Sequence, residues 1–166
     1  MEQELIVIGG GAAGMMAALA AADGPWQVEL LEKNEKLGKK IYITGKGRCN
    51  VTNDCEPDTF FANVVSNPKF LYSAYYTFDN SQVMQLLEQN GCPLKVERGN
   101  RVFPVSDHSS DIIRTLQNVL VKKNVKISLH TEVKNLLIEN GCVCGVELSD
   151  GRKILAAAVV VATGGI

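Results

Sequence analysis

The chain has 166 residues, about one domain's worth, and can bury roughly two thirds of the surface its unfolded form exposes. A net charge of −1, with lysines and arginines scattered apart from Lys39-Lys40 and Lys122-Lys123, argues against the basic stripe of a nucleic-acid surface. Five cysteines (Cys49, Cys55, Cys92, Cys142 and Cys144) are odd in number and lack C-x-x-C spacing, which argues against a zinc site or a disulfide framework and for free thiols in a reducing compartment.

The opening Met1-Glu-Gln-Glu carries no basic flank of a targeting segment. Leu5–Ile8 is a short apolar run ending in glycines and reads as a buried parallel strand. Ala12–Ala22, rich in Ala, Met and Leu, reads as a helix stopped by Asp23-Gly24-Pro25. Both runs are too short to span a bilayer, so a cytoplasmic chain with no membrane partner is expected. Val28–Glu32 is a second strand, completing strand, glycine turn, helix and strand, the start of a βαβ unit.

Residues 33–56 read as a loop, and 57–91 as helical pieces, the clearest being Ser81–Asn90 with Val83, Leu86 and Leu87 on one face and Gly91 at its end. Residues 94–105 read as two short strands around Gly99-Asn100. Ser106 or Asp107 is expected to cap a helix to Lys123, with Ile112, Ile113, Leu116, Val119 and Leu120 as its apolar stripe. Val125–His130, Val133–Glu139, Cys142–Leu148 and Lys153–Leu155 read as strands, with hairpin turns at Asn140-Gly141 and Asp150-Gly151. Ala157–Ala162 is one more buried strand, running into Thr163-Gly164-Gly165.

Gly9-x-Gly11-x-x-Gly14 follows a strand and opens a helix, the context in which this pattern binds a dinucleotide. Gly9 permits the tight turn, Gly11 keeps side-chain bulk away from a pyrophosphate, and Gly14 lets helix and strand pack closely. The helix N-terminus offers unpaired N–H groups to the phosphates. Glu32 stands where an acid is expected to meet the ribose hydroxyls. The competing explanation is a glycine-rich turn used only for packing. FAD is favoured over NAD on two counts. The connection before the last strand reads as a β-meander, where an NAD fold would place a helix. A basic Gly-rich loop, Gly38-Lys39-Lys40 through Gly45-Lys46-Gly47-Arg48-Cys49-Asn50, can bring Arg48 and backbone donors to phosphate or flavin polar atoms. A solvated surface loop accounts for the same composition.

Glu32-Lys-Asn, Gly45-Lys-Gly-Arg-Cys-Asn-Val-Thr-Asn53, Arg101-Val-Phe-Pro104 and Ala162-Thr-Gly-Gly165 together resemble the BaiN / aminoacetone oxidase-type family of bacterial FAD-dependent oxidoreductases, which have a glutathione-reductase-like FAD-binding fold. The resemblance covers essentially the whole chain, and the Gly45–Asn53 run is its specific part. It implies that Gly9, Gly11, Ala12, Ala13 and Gly14 surround the pyrophosphate, that Glu32 binds the adenosine ribose with Lys33 beside it, and that Val133 meets the adenine through its backbone. It further implies that Arg48, Cys49 and Asn50 approach the flavin side and that Ala162, Thr163 and Gly164 close on the cofactor. Members of that family are more than twice this length, so this chain is expected to be the N-terminal part of an FAD-binding domain, without the substrate domain, the C-terminal return segment and the catalytic residues.

The expected fold is α/β: a Rossmann-type parallel sheet with a β-meander crossover and a helical insert over about residues 40–105, an incomplete FAD-binding domain. The expected function is the cofactor-binding part of an FAD-dependent oxidoreductase, with a small-molecule substrate as partner of the complete protein and either NAD(P)H or an oxidisable substrate as its source of electrons. The alternatives are a truncated non-catalytic remnant without stable cofactor binding, whose open sheet edge invites an oligomer, and an NAD(P)-binding protein with Lys33 on a 2′-phosphate, against which the meander and the Arg-Cys-Asn loop argue. Cys49 beside Arg48 can have a lowered thiol pKa, although a small packing residue is the simpler expectation. His108 and His130 have no acid–base or metal partner nearby in sequence, and no metal site is expected. Tyr72, Tyr75 and Tyr76 fall at helical spacing as core or partner-facing residues, and Trp26 reads as a packing residue in a turn.

Overall fold

The computed structural model describes residues 3–165; Met1, Glu2 and the chain end at Ile166 lie outside them. In chain order the first elements are β1 (Gln3–Ile8), α1 (Ala12–Ala21), β2 (Trp26–Leu31), α2 (Lys39–Ile43), a 3-10 turn (Thr44–Gly47), β3 (Thr52–Asn53) and α3 (Pro57–Ala62). A second 3-10 turn (Pro68–Leu71), α4 (Tyr72–Thr77), α5 (Asn80–Gln89), β4 (Leu94–Glu97), β5 (Arg101–Pro104) and α6 (Ser109–Lys122) follow. The last stretch holds β6 (Lys126–Ser128), β7 (Val133–Glu139), β8 (Cys142–Leu148), β9 (Lys153–Leu155) and β10 (Ala158–Val161). These elements form two units: the residues up to Ile41 together with those from Leu116 onward, and Tyr42–Thr115.

In the first unit, β10, β1, β2 and β6 lie side by side in that order, all parallel, with Leu5 opposite both Ala158 and Val28. Leu5, Ile6, Val7, Ile8, Val28, Leu30 and Leu31 are buried, as near-continuous apolar strands in a doubly covered parallel sheet must be. Ile6, Ile8 and Leu31 pack against Val146 and Leu148 of the antiparallel β7-β8-β9 meander and Ala156 just after it, with Val133, Ile154 and Val159 at the margin. Strand side chains alternate between faces. Leu5 and Val7 therefore face the other way, where α1 lies against β1, β2 and β10 and buries Gly14, Met15, Ala18 and Leu19. Asn140 and Gly141 take φ of +51° and +79°, the mirror-image turn that joins β7 to β8 without splaying them. The chain lays β2 and β6 on one side of β1 and then returns through the meander to lay β10 on the other. The strand order thus reverses between β1 and β10, the place where open α/β sheets bind ligands.

Three sequence expectations change in and around this unit. Trp26 is the first residue of β2, paired with Gln3, and is not in a turn. The strand expected over 125–130 shrinks to β6, because the chain leaves the ladder at His130 (φ +51°). The N–H groups of His130 and Thr131 turn instead to the carbonyls of Asn34 and Glu32 at 3.1 and 2.9 Å. The loop expected over 33–56 contains α2, the first 3-10 turn and β3.

The second unit holds α3, α4 and α5 and also a three-stranded antiparallel sheet in the order β3-β5-β4, so the expected helical insert is mixed. Asp79 and Gln82 form a reciprocal capping box at the start of α5, and Leu87 on that helix is buried. Phe60, Phe61, Tyr72, Tyr75 and Tyr76 form an aromatic cluster in which Phe60 and Tyr75 stack at 4.4 Å. Tyr75 is buried and its hydroxyl donates to Asn80 Oδ1 at 2.7 Å. Neither Ser106 nor Asp107 caps α6, which begins at Ser109. Asp107 takes φ +59° and turns its carboxylate into an ion cluster, while Ser106 Oγ accepts the N–H of His108 at 3.3 Å. Among the described residues, no helix is long and apolar enough to cross a membrane.

Candidate functional site

The glycine turn joins the carboxyl end of β1 to α1 at the point of strand-order reversal. Gly9 takes φ +105°, a conformation L side chains rarely adopt, and its N–H donates to the Leu31 carbonyl at 2.8 Å. A Cβ on Gly9 would press on the Ala162 carbonyl oxygen at 2.5 Å, and one on Gly14 would collide with the Gly9 carbonyl. These two glycines are therefore required by the packing of turn, helix and β10 end. Gly11 differs: a Cβ there meets nothing within 4 Å. The space over Gly11 is open.

Gly11 is the N-cap of α1 and supplies no side-chain cap, and the first turn holds no acid. The first intrahelical bond runs from Met15 N–H to Gly11 C=O at 2.9 Å, so the amides of Ala12, Ala13 and Gly14 precede it. Ala12 and Ala13 are exposed. The positive end of the helix dipole and these donors face the open space beside Gly11, the arrangement that binds a phosphate.

Glu32 follows β2 and is buried at 8% exposure. Its Oε2 accepts the Gly10 N–H at 2.7 Å, and its Oε1 accepts the backbone and side-chain N–H groups of Asn34 at 2.8 and 2.6 Å. The carboxylate ties the end of β2 to the glycine turn with three of its roughly four acceptor positions, which leaves room for one more donor. Lys33 beside it is exposed. Val133 opens β7, opposite Leu148, just after the Thr131 N–H that donates to the Glu32 carbonyl at 2.9 Å.

At the end of β10, the Ala162 N–H continues the ladder to the Ile8 carbonyl at 2.8 Å, and Thr163 lies next to Gly9. Gly164 takes φ +83°, and a Cβ on it would stand 3.4 Å from Lys40 Nζ, which donates to the Gly165 carbonyl at 3.3 Å. Thus Gly9, Gly11, Ala12, Ala13, Gly14, Glu32, Ala162 and Thr163 come together at one end of the sheet.

Sequence reasoning missed three participants here. Asn34 holds Glu32, Leu37 is buried under Gly10, and Lys40 reaches the strand-end glycines. The Gly38-Lys39-Lys40 run was a signal for the last. Asn34 and Leu37 had none, because their partners are chosen by the fold of the loop.

Arg48, Cys49 and Asn50 belong to the other unit. Arg48 Nη2 donates to Glu97 Oε1 at 2.5 Å and to Asp107 Oδ1 at 2.6 Å, its Nε donates to the same Asp107 oxygen at 2.9 Å, and its guanidinium lies 4.3 Å from the Phe103 ring centroid. Lys95 Nζ donates to Asp107 Oδ2 at 2.7 Å. Hydrogen bonding from Arg48 holds the Glu97 carboxyl below its usual range; for Asp107 the same effect comes first from Lys95 and then from Arg48. The two carboxylates in turn raise Arg48 above its ordinary value.

Cys49 is buried with φ +58°. Burial pushes its thiol pKa up, opposed by a hydrogen bond with Thr44, so a thiolate lowered by Arg48 is not what this site builds. The Asn50 side chain, with its nitrogen turned inward, donates to the carbonyls of Thr52 and Val102 at 3.0 and 3.2 Å. Among the described residues, no three His, Cys, Asp or Glu side chains are grouped to hold a metal ion.

Comparison with known proteins agrees with this architecture. Residues 3–166 match the HI0933-like protein Rossmann domain. The chain is 35% identical to the 3-dehydro-bile acid delta(4,6)-reductase of Clostridium scindens over 96% of its own length and 38% of that protein's. It is 30% identical to the ribosomal RNA dihydrouridine synthase of Escherichia coli over 98% of its own length and 40% of that protein's. The crystal structure of Thermovibrio ammonificans THI4 superposes with a TM-score of 0.70 at 16% identity, covering 98% of this chain and 57% of that one. The chain therefore spans about two fifths of the curated relatives it matches.

Proposed function

The chain belongs to the HI0933-like Rossmann family, and on that premise we propose that its first unit holds the ADP half of FAD at the glycine turn. FAD is the cofactor of the family. The observation that carries the reading is the open space over Gly11 at the uncapped N-terminus of α1, next to a buried acid. The amides of Ala12, Ala13 and Gly14 would meet the pyrophosphate. Glu32, already oriented by Gly10 and Asn34, would accept one ribose hydroxyl at its remaining position. The backbone at Val133 would meet the adenine, and Ala162, Thr163 and Gly164 would line the way to the flavin. Lys33 would stand at the rim. Arg48, Cys49 and Asn50 lie in the other unit, and the reading does not depend on them.

Bound FAD would supply the redox chemistry, and the protein would hold and tune it. For the whole protein we propose an FAD-dependent oxidoreductase acting on a small organic molecule, with electrons delivered by a reduced nicotinamide or by an oxidisable substrate. The relative that supports a small organic substrate is the 3-dehydro-bile acid delta(4,6)-reductase. The test is a visible absorption spectrum of the purified chain, before and after addition of FAD and desalting. Flavin bands near ~370 and ~450 nm that survive desalting are expected. A chain that stays colourless after FAD, yet is folded by circular dichroism, would overturn the proposal for this chain.

A further inference from the structure

Two sequence runs in the second unit, Gly45–Asn53 and Arg101–Pro104, are halves of one structure. Thr52 pairs with Val102 and Asn53 with Arg101. The Val51 N–H donates to the Val102 carbonyl at 2.9 Å, the Asp54 N–H to Asn100 at 2.8 Å, and Asn53 Nδ2 to the Gly99 carbonyl at 2.7 Å. Onto the same hairpin the Arg48 side chain folds back, over the Phe103 ring and between Glu97 and Asp107. Arg48 and Lys95 balance Glu97 and Asp107, so the cluster is neutral as a whole. A guanidinium already taken by two carboxylates and a ring has little left to offer a phosphate.

The backbone on either side of Arg48 is strained. Lys46 and Cys49 take φ of +57° and +58°, a region that disfavours non-glycine residues. Such residues persist where surrounding structure over-determines them. In this turn the Cys49 N–H donates to the Thr44 carbonyl at 3.3 Å, and the Arg48 side chain is anchored on Glu97 and Asp107. Single surface ion pairs contribute little, but forked arginine–carboxylate geometry within a network is the exception. The side chain that this turn buries is Cys49.

We propose that Arg48 is a positioning residue: clamped by Glu97 and Asp107 on the Phe103 ring, it holds Lys46–Cys49 in its left-handed shape and keeps the Cys49 thiol from solvent, rather than serving as an anion ligand. The assignment is independent of the cofactor proposal, since every group in it lies within Tyr42–Thr115.

The full chain is treated with N-ethylmaleimide and the labelling of each cysteine followed by peptide mass spectrometry. Cys92 is buried in the same unit and serves as the internal control. Arg48→Ala is expected to label Cys49 about tenfold faster, equivalent to about 1.4 kcal/mol of local opening, with Cys92 unchanged. Arg48→Lys keeps the charge but not the forked guanidinium over the Phe103 ring, and is expected to give a smaller, equally selective increase; it reads the same ratio should Arg48→Ala fail to fold. Glu97→Gln combined with Asp107→Asn is expected to match Arg48→Ala. Cys49 and Cys92 accelerating together, or neither accelerating, would overturn the assignment. So would a shift of the Arg48 Nε–H resonance on titrating the wild-type chain with inorganic pyrophosphate.

Discussion

Gly11 and Gly14 stand three residues apart and answer to different constraints. A side chain at Gly11 enters empty space, whereas one at Gly14 meets the Gly9 carbonyl. Gly11→Leu is therefore expected to keep the fold and lose FAD, with the dissociation constant rising more than about tenfold, or about 1.4 kcal/mol. Gly14→Ala is expected to destabilise the fold itself by about 1–3 kcal/mol, the usual effect of overpacking. Thermal melts and FAD titration of the two variants separate these effects; a folded Gly11→Leu chain with unchanged affinity contradicts the site. Glu32 combines both kinds of constraint. Removing its carboxylate leaves the Gly10 N–H and the Asn34 amide without their acceptor. Glu32→Ala is thus expected to lower the stability of the cofactor-free chain by about 1–3 kcal/mol as well as to weaken FAD. An apo melting curve identical to wild type would show that these bonds carry nothing.

Long-range polar contacts tie elements together here alongside apolar burial. The β4–β5 hairpin and the loop before β3 share the Arg48 cluster. Both carboxyls in it titrate below their ordinary values, so the folded state binds protons less readily than the unfolded one. Their contribution is fully present above the unfolded carboxylate range and is lost as pH falls through the depressed folded values. The Arg48 Nε–H resonance is accordingly expected to stay fixed through neutral pH and to move only at or below the ordinary range of Glu and Asp; movement near neutrality would show that another group controls the cluster. On α5, the capping box makes a simpler case. Asp79→Ala is expected to cost about 1 kcal/mol, read as faster amide exchange through the first turn of the helix.

At the scale of the molecule, ligand binding and folding are linked. A ligand that binds only the native state adds about 2.7 kcal/mol at a hundredfold excess over its dissociation constant. FAD is expected to raise the unfolding temperature accordingly, while NAD+ at equal concentration leaves it unchanged. The reverse ranking would favour the nicotinamide assignment that the β-meander argues against.

Much of this arrangement was legible in local pattern. The apolar run, glycines and Ala-rich helix of residues 5–22 spell a βα turn, and Asn140-Gly141 and Asp150-Gly151 mark the meander to the residue. Such features depend on propensities and turn chemistry within a few residues, which a sequence carries in full. Only the tertiary structure decided who meets whom. Arg48 finds its acids 49 and 59 residues away, and Glu32 finds the Gly10 amide 22 residues back. The strand at Trp26 and the short β6 were likewise set by their neighbours in the sheet, and Cys49 by the loop that buries it. Hydrogen bonds and burial of this kind form between groups whose separation along the chain carries no periodicity. They follow from the folded arrangement of the sheet and hairpin, and no local window of residues encodes them.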